Sequence, residues 1–311
     1  MFKFFSNSVV LISLALTVAW GYPATAGQPS FYKASDKNFQ YFGRIDFSHS
    51  ELPRYWAAGV YIKANFSGTS CQIVINDEVI YDKDHNYISI IVDNLPVKRI
   101  KLTQKRNVIT AATGLADTKH TITICKATES GIGYLEFVGM SCKKLLPASP
   151  KPVLKMEFIG NSITCGTGSD TKEIPCDSGT WYDQHNAYMS YGALTARALN
   201  AQWHLSSVSG IGLTKSCCGM DVVMPDVMDK INMRANTIKW DFKKYQPDVV
   251  TVCLGQNDGI VDSALFCSAY VKFVDTLRLN YPKATVVCLT SPMASPELVA
   301  VQKKYLTAIT G

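Results

Sequence analysis

Hydrophobic and polar residues alternate along most of residues 27–150. This alternation predicts β-strands with one buried face, separated by turn residues at intervals of about 8–12 positions. Short strands at this spacing are typical of a β-sandwich, and we predict a jelly-roll domain. The predicted strands cover residues 41–47, 58–66, 71–75, 87–92, 97–102, 120–126 and 133–138, with a turn at 67–69.

After residue 153 the pattern changes to continuous apolar runs that alternate with amphipathic segments. The apolar runs predict strands at 155–160, 203–208, 248–254 and 284–290. The amphipathic segments predict helices at 187–200, 220–234, 263–280 and 295–310, and Pro225 allows a break within the second of them. Such alternation predicts an α/β three-layer domain whose parallel sheet is covered on both faces. The Pro-rich stretch 147–152 suits neither helix nor strand, so we expect domains at 27–150 and 151–311.

Residues 1–26 have the pattern of a secretory signal peptide. Lys3 precedes a short apolar segment from Val9 to Trp20, and Ala24-Thr25-Ala26 forms a small-x-small cleavage site. The apolar segment is shorter than the ~20 residues that a membrane-spanning helix needs. We therefore expect a mature protein that is periplasmic or extracellular and not held in a membrane.

The charge of the chain and the spacing of its Cys and His residues argue against nucleic-acid binding and against a zinc site. The chain has 311 residues, of which 47% are hydrophobic and 18% charged, and its net charge of +6 comes without a long basic run, so nucleic-acid binding is not indicated. Ten cysteines permit disulfides in an exported protein, and a Cys165–Cys176 bond would hold the loop between them. The Cys and His spacings form no zinc pattern, and we predict no metal and no cofactor.

Three motifs each follow a predicted parallel strand. They are Gly160-Asn161-Ser162, Ser209-Gly210 and Gly255-Gln256-Asn257-Asp258. Because the carboxyl ends of parallel strands share one edge of the sheet, and ligands bind there, we expect the three motifs to meet. Taken singly, each is more simply interpreted as a turn, with Ser162 or Asp258 satisfying local backbone groups.

Together the motifs contain the groups needed for acyl transfer. Ser162 would attack an acyl carbon, and the oxyanion that forms would be stabilised by preorganised donors. The backbone N–H of Ser162, that of Gly210 and the side-chain amide of Asn257 are suitable donors. Gly210 also allows close approach of the backbone because it has no Cβ.

These three motifs resemble the first signature blocks of the SGNH (GDSL-type) hydrolases. The phrase F-I-G-N-S-I-T-C-G-T-G, preceded by a sandwich that contains Y-F-G-R-I-D-F and E-F-V-G-M, resembles carbohydrate esterase family 2. That resemblance implies a jelly-roll domain joined to an SGNH-type domain, and removal of acetyl groups from plant cell-wall polysaccharides such as xylan or mannan. It implies that Ser162 is the nucleophile, and that Gly210 and Asn257 are oxyanion donors.

The sequence departs from the family pattern in two places. Asn161 stands where the family usually has Asp, a change that keeps shape and hydrogen bonding but removes a charge. The family base is a histidine in a C-terminal D-x-x-H block, and no D-x-x-H occurs in residues 151–311. We therefore expect a truncated version of a longer protein, with four sheet strands where the intact domain has five.

None of the five histidines is a strong candidate for the missing base. His49, His85 and His120 are expected on the surface or in turns of the sandwich, and His204 at the amino end of its strand. His185 lies in the loop after Ser162, but a lone loop histidine is usually solvated.

Two alternatives remain open from the sequence. Without a base, the protein would be a glycan-binding protein that keeps the esterase fold, with Trp181 and Tyr182 available to stack on sugar rings. The motifs alone would also suit a lipase, since fold does not fix substrate. The jelly-roll domain favours a sugar ester, and we predict an acetylated polysaccharide or oligosaccharide as the partner.

Overall fold

The computed structural model describes Met1 and residues 28–310. The signal-peptide prediction for residues 1–26 lies, apart from Met1, outside the described residues. The strands and helices of the described part follow here in chain order: β1 (Ser30–Lys33), β2 (Gln40–Phe42), β3 (Arg54–Tyr55), β4 (Tyr61–Asp77), β5 (Tyr87–Val92), β6 (Lys98–Lys101), β7 (Arg106–Ala112), β8 (Lys119–Lys126), β9 (Leu135–Leu146), β10 (Lys155–Gly160), α1 (Ser162–Cys165), α2 (Tyr191–Ala198), β11 (Gln202–Ser207), α3 (Met224–Val227), β12 (Lys230–Asn232), β13 (Thr237–Lys239), β14 (Val249–Cys253), α4 (Ser263–Asn280), β15 (Thr285–Cys288) and α5 (Pro296–Thr310).

Strands β1–β9 form one antiparallel sheet, as the alternating pattern predicts. The long strand β4 pairs with β2, β7, β8 and β9, and its inward residues, among them Ile62 and Ile73, join Phe137 of β9 in the core. The predicted turn at 67–69 is wrong, because β4 continues through it with a shift of register between Ser67 and Cys71. Gly68, with φ of +124°, allows this bulge. Strands β1, β3 and β7 were not predicted.

The second domain contains the predicted parallel sheet, with strand order β11-β10-β14-β15. Successive residues of β10 point to opposite faces, as a strand requires. Phe158 packs with Ala193 of α2, whereas Ile159 joins the cluster that contains Phe273 of α4 and Leu306 of α5. The sheet therefore has helices on both faces.

The predicted helix over 220–234 is wrong. The structure has only the short helix α3 in this stretch, and the chain then forms the hairpin of β12 and β13. Arg44 of the first domain explains the difference, because its Nη1 donates to the carbonyl oxygens of Met228 (2.5 Å) and Lys230 (2.9 Å). These carbonyls would otherwise accept hydrogen bonds within a helix.

The two domains share a buried interface. Tyr61 of β4 stacks on Trp203 of β11 at 3.8 Å between ring centroids, and Trp203 Nε1 donates to Gly59 O at 3.1 Å. Arg44 and Glu157, both almost fully buried, form an ion pair across the interface at 2.8 Å. The first domain is therefore packed directly against the strands that carry the three motifs.

Candidate active site

Ser162 is held at the carboxyl end of the central strand β10. Gly160 ends the strand, and a Cβ at this position would collide with Thr164 Oγ1. The side chain of Asn161 accepts from Ile163 N at 3.1 Å and so caps α1, whose first residue is Ser162. The carbonyl of Ser162 accepts from Thr167 N at 3.0 Å. These contacts fix the backbone of Ser162, and its side chain is half-buried rather than enclosed.

Asn161 performs the capping that its position requires without a negative charge. It is fully buried, and its Nδ2 has no partner within the described part of the chain. A neutral cap at this position adds no anion next to a carbonyl oxygen that becomes negative during acyl transfer.

Gly210 lies in the turn after the neighbouring strand β11. Its φ is +85°, a conformation that favours glycine. The N–H groups of Ser209, Ile211 and Gly212 donate to Glu129, Val208 and Ser216. The Gly210 N–H, by contrast, has no acceptor among residues 28–310. It is therefore available to a ligand, as an oxyanion donor must be.

Asn257 and Asp258 tie the loop after β14 to the loop after β11. Asn257 Nδ2 donates to Ile211 O at 2.8 Å, which uses one of its two N–H bonds. The buried carboxylate of Asp258 accepts from the backbone N–H groups of Leu213, Thr214 and Lys215. Asp258 thus acts structurally, in line with the simpler interpretation of that motif.

The register of the sheet brings the three motifs to one edge. Gly160 is the paired neighbour of Ser207 on one side and of Cys253 on the other. Adjacent strands lie about 4.8 Å apart, so the loops that carry Ser162, Gly210 and Asn257 leave the sheet side by side. The roles of nucleophile and oxyanion donors remain predictions from the sequence.

No histidine ring bonds to the Ser162 side chain within residues 28–310. His85 and His120 bond to Asp77 and Asp93, and His204 accepts from Gly43 N at the far end of its strand. His120 is buried rather than on the surface. His49 is exposed in the first domain.

His185 is fully buried, contrary to the prediction of a solvated loop residue. Neither of its ring nitrogens has a partner in the described chain, and Trp181 packs against the ring at 4.6 Å between centroids. Burial lowers the pKa of His185 to about 3, and the positive charges of Lys126 and Arg99 act in the same direction. A histidine with so low a pKa is a poor general base near neutral pH.

The Cys165–Cys176 disulfide that the sequence permits is absent from the structure. Cys165 is a buried thiol that lies 3.2 Å from Ser207 Oγ, and Cys176 is an exposed free thiol. The disulfide in the structure joins the adjacent residues Cys217 and Cys218. Its loop packs on the turn of Gly210, because Cys217 N donates to Gly210 O at 2.8 Å.

The first domain contributes polar groups that the sequence did not indicate. Glu129, fully buried, accepts from Ser209 N at 3.3 Å, and Lys126 Nζ donates to the carbonyl oxygens of Thr128 and Glu129. Burial raises the pKa of Glu129, opposed by the charge of Arg234, and lowers the pKa of Lys126 to about 8. Glu129 and Ser209 lie 80 positions apart, and so no local sequence pattern reveals their contact.

A cleft of about 300 Å³ lies between the domains beside Glu129. Its lining includes Trp56 and Gly131 from the first domain and Asn232 and Arg234 from the second. The combination of an aromatic ring with amide and guanidinium groups suits a polar ligand with flat apolar faces.

No helix in the described residues is long and apolar enough to span a membrane. Within residues 28–310, no cluster of three or more His, Cys, Asp and Glu side chains could hold a metal ion.

Two family models match the chain. The model described as carbohydrate esterase 2 N-terminal matches residues 41–152, and that of the GDSL-like lipase/acylhydrolase family matches residues 158–309. The two matches follow one another along the chain, one in each half.

Curated relatives align over most of this chain. It is 34% identical over 283 residues to the cellulase/esterase CelE of Acetivibrio thermocellus, which covers 86% of the chain but only 33% of that protein. It is 29% identical over 281 residues to an acetylxylan esterase / glucomannan deacetylase of Cellvibrio japonicus, covering 88% of the chain and 76% of that protein. The chain thus spans a third of the first relative and about three quarters of the second.

A solved structure has the same architecture. A family two carbohydrate esterase from Clostridium thermocellum in complex with cellohexaose superposes with a TM-score of 0.77. The two chains are 32% identical, and the match covers 87% of this chain and 83% of the other. The likeness therefore includes both domains.

Proposed function

Because this chain belongs to carbohydrate esterase family 2, we propose that it removes acetyl groups from plant cell-wall polysaccharides such as xylan or mannan. The observation that carries the proposal is the meeting of three strand ends at one edge of the sheet, with the Gly210 N–H free of any partner in the described chain. The curated relative named for acetylxylan and glucomannan supports the substrate class.

The reaction follows from the groups at this edge. Ser162 Oγ attacks the acetyl carbon and gives its proton to the base, and the carbonyl oxygen becomes negative. When the bond from the acetyl carbon to the sugar oxygen breaks, that proton passes to the sugar oxygen, which leaves as a hydroxyl. The Gly210 N–H and the free N–H of Asn257 Nδ2 stabilise the oxyanion. Water then attacks the acetyl-Ser162 ester and releases acetate. The family assigns the base to a histidine in a C-terminal D-x-x-H block. The two D-x-x-H matches in this sequence, Asp82–His85 and Asp117–His120, lie in the first domain, and residues 151–311 contain none.

We place this activity outside the cytoplasm. The support is the signal-peptide pattern of residues 1–26, together with a polymeric substrate that does not enter cells. Expression of the gene with its own leader, followed by fractionation, checks this. Recovery of the protein in the cytoplasm with its leader intact would contradict it.

The direct test is acetate release from acetylated xylan and glucomannan by the full-length protein. Ser162→Ala should lower the rate more than about 10³-fold, because the nucleophile is lost while the donors stay. Ser178→Ala is the matched control, since Ser178 is half-buried, as Ser162 is, and its hydroxyl bonds only to Pro175 O within the described chain. Release of acetate by Ser162→Ala at the wild-type rate would refute the proposal.

A second candidate is a glycan-binding protein without esterase activity. It is favoured by the lack of a histidine hydrogen-bonded to the Ser162 side chain within residues 28–310 and by the cellohexaose complex of the related structure. Calorimetry with cellohexaose and acetate assays on the same preparation separate the two. Binding without acetate release supports the second candidate, whereas acetate release that depends on Ser162 excludes it.

A further inference from the structure

Residues Lys126–Gly131 of the first domain enter the second domain next to the Ser209–Gly210 turn. Ala187 N donates to Ala127 O at 3.0 Å, which fixes this segment against the chain that follows α1. Two residues later, Glu129 is fully buried, and its Oε2 lies 3.3 Å from Ser209 N. A carboxyl group of one domain therefore accepts a hydrogen bond from the turn that supplies Gly210 in the other.

Several groups surround the side chain of Glu129, whose Oε1 has no hydrogen-bond partner in the described chain. Ser130 Oγ donates to Oε2 at 3.4 Å, and Lys126 Nζ donates to the backbone carbonyl oxygen of Glu129 at 3.0 Å. Arg234 Nη1 lies 4.0 Å from Oε1. A Cβ at Gly131 would collide with Oε1, so glycine is needed there. Burial and this crowding restrict the side chain of Glu129, whose Oε2 accepts from Ser209 N.

The contact also determines which N–H groups of the turn are free. Ser209 N–H is taken by Glu129, and Ile211 N–H by Val208 O at 3.3 Å. On the opposite side, Gly210 O accepts from Cys217 N. The peptide that joins Ser209 to Gly210 is therefore fixed at both ends, and its own N–H is the one with no partner in the described chain.

We propose that Glu129 is a positioning residue for the oxyanion site, which orients the Gly210 N–H by accepting the hydrogen bond of Ser209 N–H. The inference rests on the proposed esterase function. In this arrangement the first domain supplies part of the catalytic geometry of the second. Glu129 itself does not touch the substrate and carries out no proton transfer.

The test compares Glu129→Ala and Glu129→Gln with the wild type on acetylated xylan. Glu129→Ala should lower kcat by about 10–100-fold and change KM by less than about threefold, because the turn loses its orientation but the side chains that line the cleft between the domains remain. Glu129→Gln keeps an oxygen acceptor and should recover most of that loss. Glu136→Gln is the matched control, since Glu136 is also buried in the first domain but bonds to Arg54 and Asn76.

A thionoacetate ester separates positioning of the oxyanion donors from general damage. Sulfur accepts hydrogen bonds poorly, so hydrolysis of the thionoester depends less on those donors. Glu129→Ala should therefore lower the oxoester rate at least fivefold more than the thionoester rate. Equal losses on both esters, or loss of folding in both Glu129 variants, would overturn the inference. Absence of acetate release by the wild type would instead refute the proposed function.

Discussion

Gly210 meets two requirements that no other residue type satisfies together. Its φ of +85° lies in the left-handed region, and a Cβ would lie 3.0 Å from Cys217 Sγ. Gly219, in the same loop, also has a positive φ of +72°, but a Cβ there would meet no atom within 4 Å. A side chain would therefore strain the backbone at both positions, but it would be crowded only at position 210. Substitutions at the two glycines form a matched comparison.

We expect Gly210→Ala to lower kcat by about 10–100-fold, because the turn must move away from Cys217 and carries the Gly210 N–H with it. Gly219→Ala should change kcat by less than about twofold. Both variants should lose about 1 kcal/mol of unfolding free energy through the positive φ alone. Steady-state kinetics and urea unfolding measure both effects. Equal kcat values for the two variants would contradict the assigned role of Gly210.

The loops that follow β11 and β14 behave as one element. Asp258 accepts hydrogen bonds from three backbone N–H groups of the first loop, and Asn257 donates one to a carbonyl oxygen of the same loop. The backbone of residues 211–215 is irregular and forms no β-sheet hydrogen bonds. The buried carboxylate of Asp258 accepts from its N–H groups instead.

Asp258→Ala should lower the unfolding free energy by about 3 kcal/mol, since several buried N–H groups lose a charged acceptor at once. Asp262→Ala is the comparison, because Asp262 caps α4 through a single contact with Leu265 N at 3.0 Å. Loss of such a cap costs about 1 kcal/mol. Urea unfolding of both variants measures the two losses of unfolding free energy. If Asp258→Ala loses no more unfolding free energy than Asp262→Ala, the hydrogen bonds of Asp258 are not what joins the two loops.

The elements that sequence predicts well are those set by local pattern. The four apolar runs of the parallel sheet and the helix over 263–280 were correct, because burial on both faces and a 3.6-residue period leave clear signals. The prediction of a helix over 220–234 was wrong. Arg44, nearly two hundred positions away, donates to the carbonyl oxygens of Met228 and Lys230 in this segment.

At the candidate site, sequence could supply only residues that belong to compact motifs. Ser162, Gly210 and Asn257 each follow a strand, and so their meeting at one edge was predictable. Glu129 has no motif of its own, and its relevance comes from a hydrogen bond to Ser209 in the other domain. The Cys217–Cys218 bond was likewise missed, since adjacent cysteines were not considered as partners.

For the whole molecule, the domain interface is part of the fold's stability. Arg44 and Glu157 pair there with 1% and 0% of their side chains exposed, and Ser206 Oγ also donates to Glu157. Removal of one partner from such a pair leaves a buried charge without compensation. The interface thus links the first domain to the central strand β10.

Glu157→Gln should lower the unfolding free energy by about 3–5 kcal/mol, because Arg44 then remains buried and unpaired. Glu51→Gln, which removes the exposed Lys33–Glu51 pair at 2.8 Å, should lower the unfolding free energy far less, because water screens an exposed ion pair. Denaturant unfolding followed by tryptophan fluorescence measures both. Similar small losses for the two variants would show that the Arg44–Glu157 pair does not stabilise the interface.

The most direct test of the central claim is a crystal structure of the full-length protein after reaction with an acetyl-sized organophosphonate, which mimics the tetrahedral intermediate. We predict a covalent bond from Ser162 Oγ to phosphorus, with the phosphonyl oxygen about 2.7–3.1 Å from both Gly210 N and Asn257 Nδ2. An adduct on another residue, or a phosphonyl oxygen that contacts neither donor, would contradict the account.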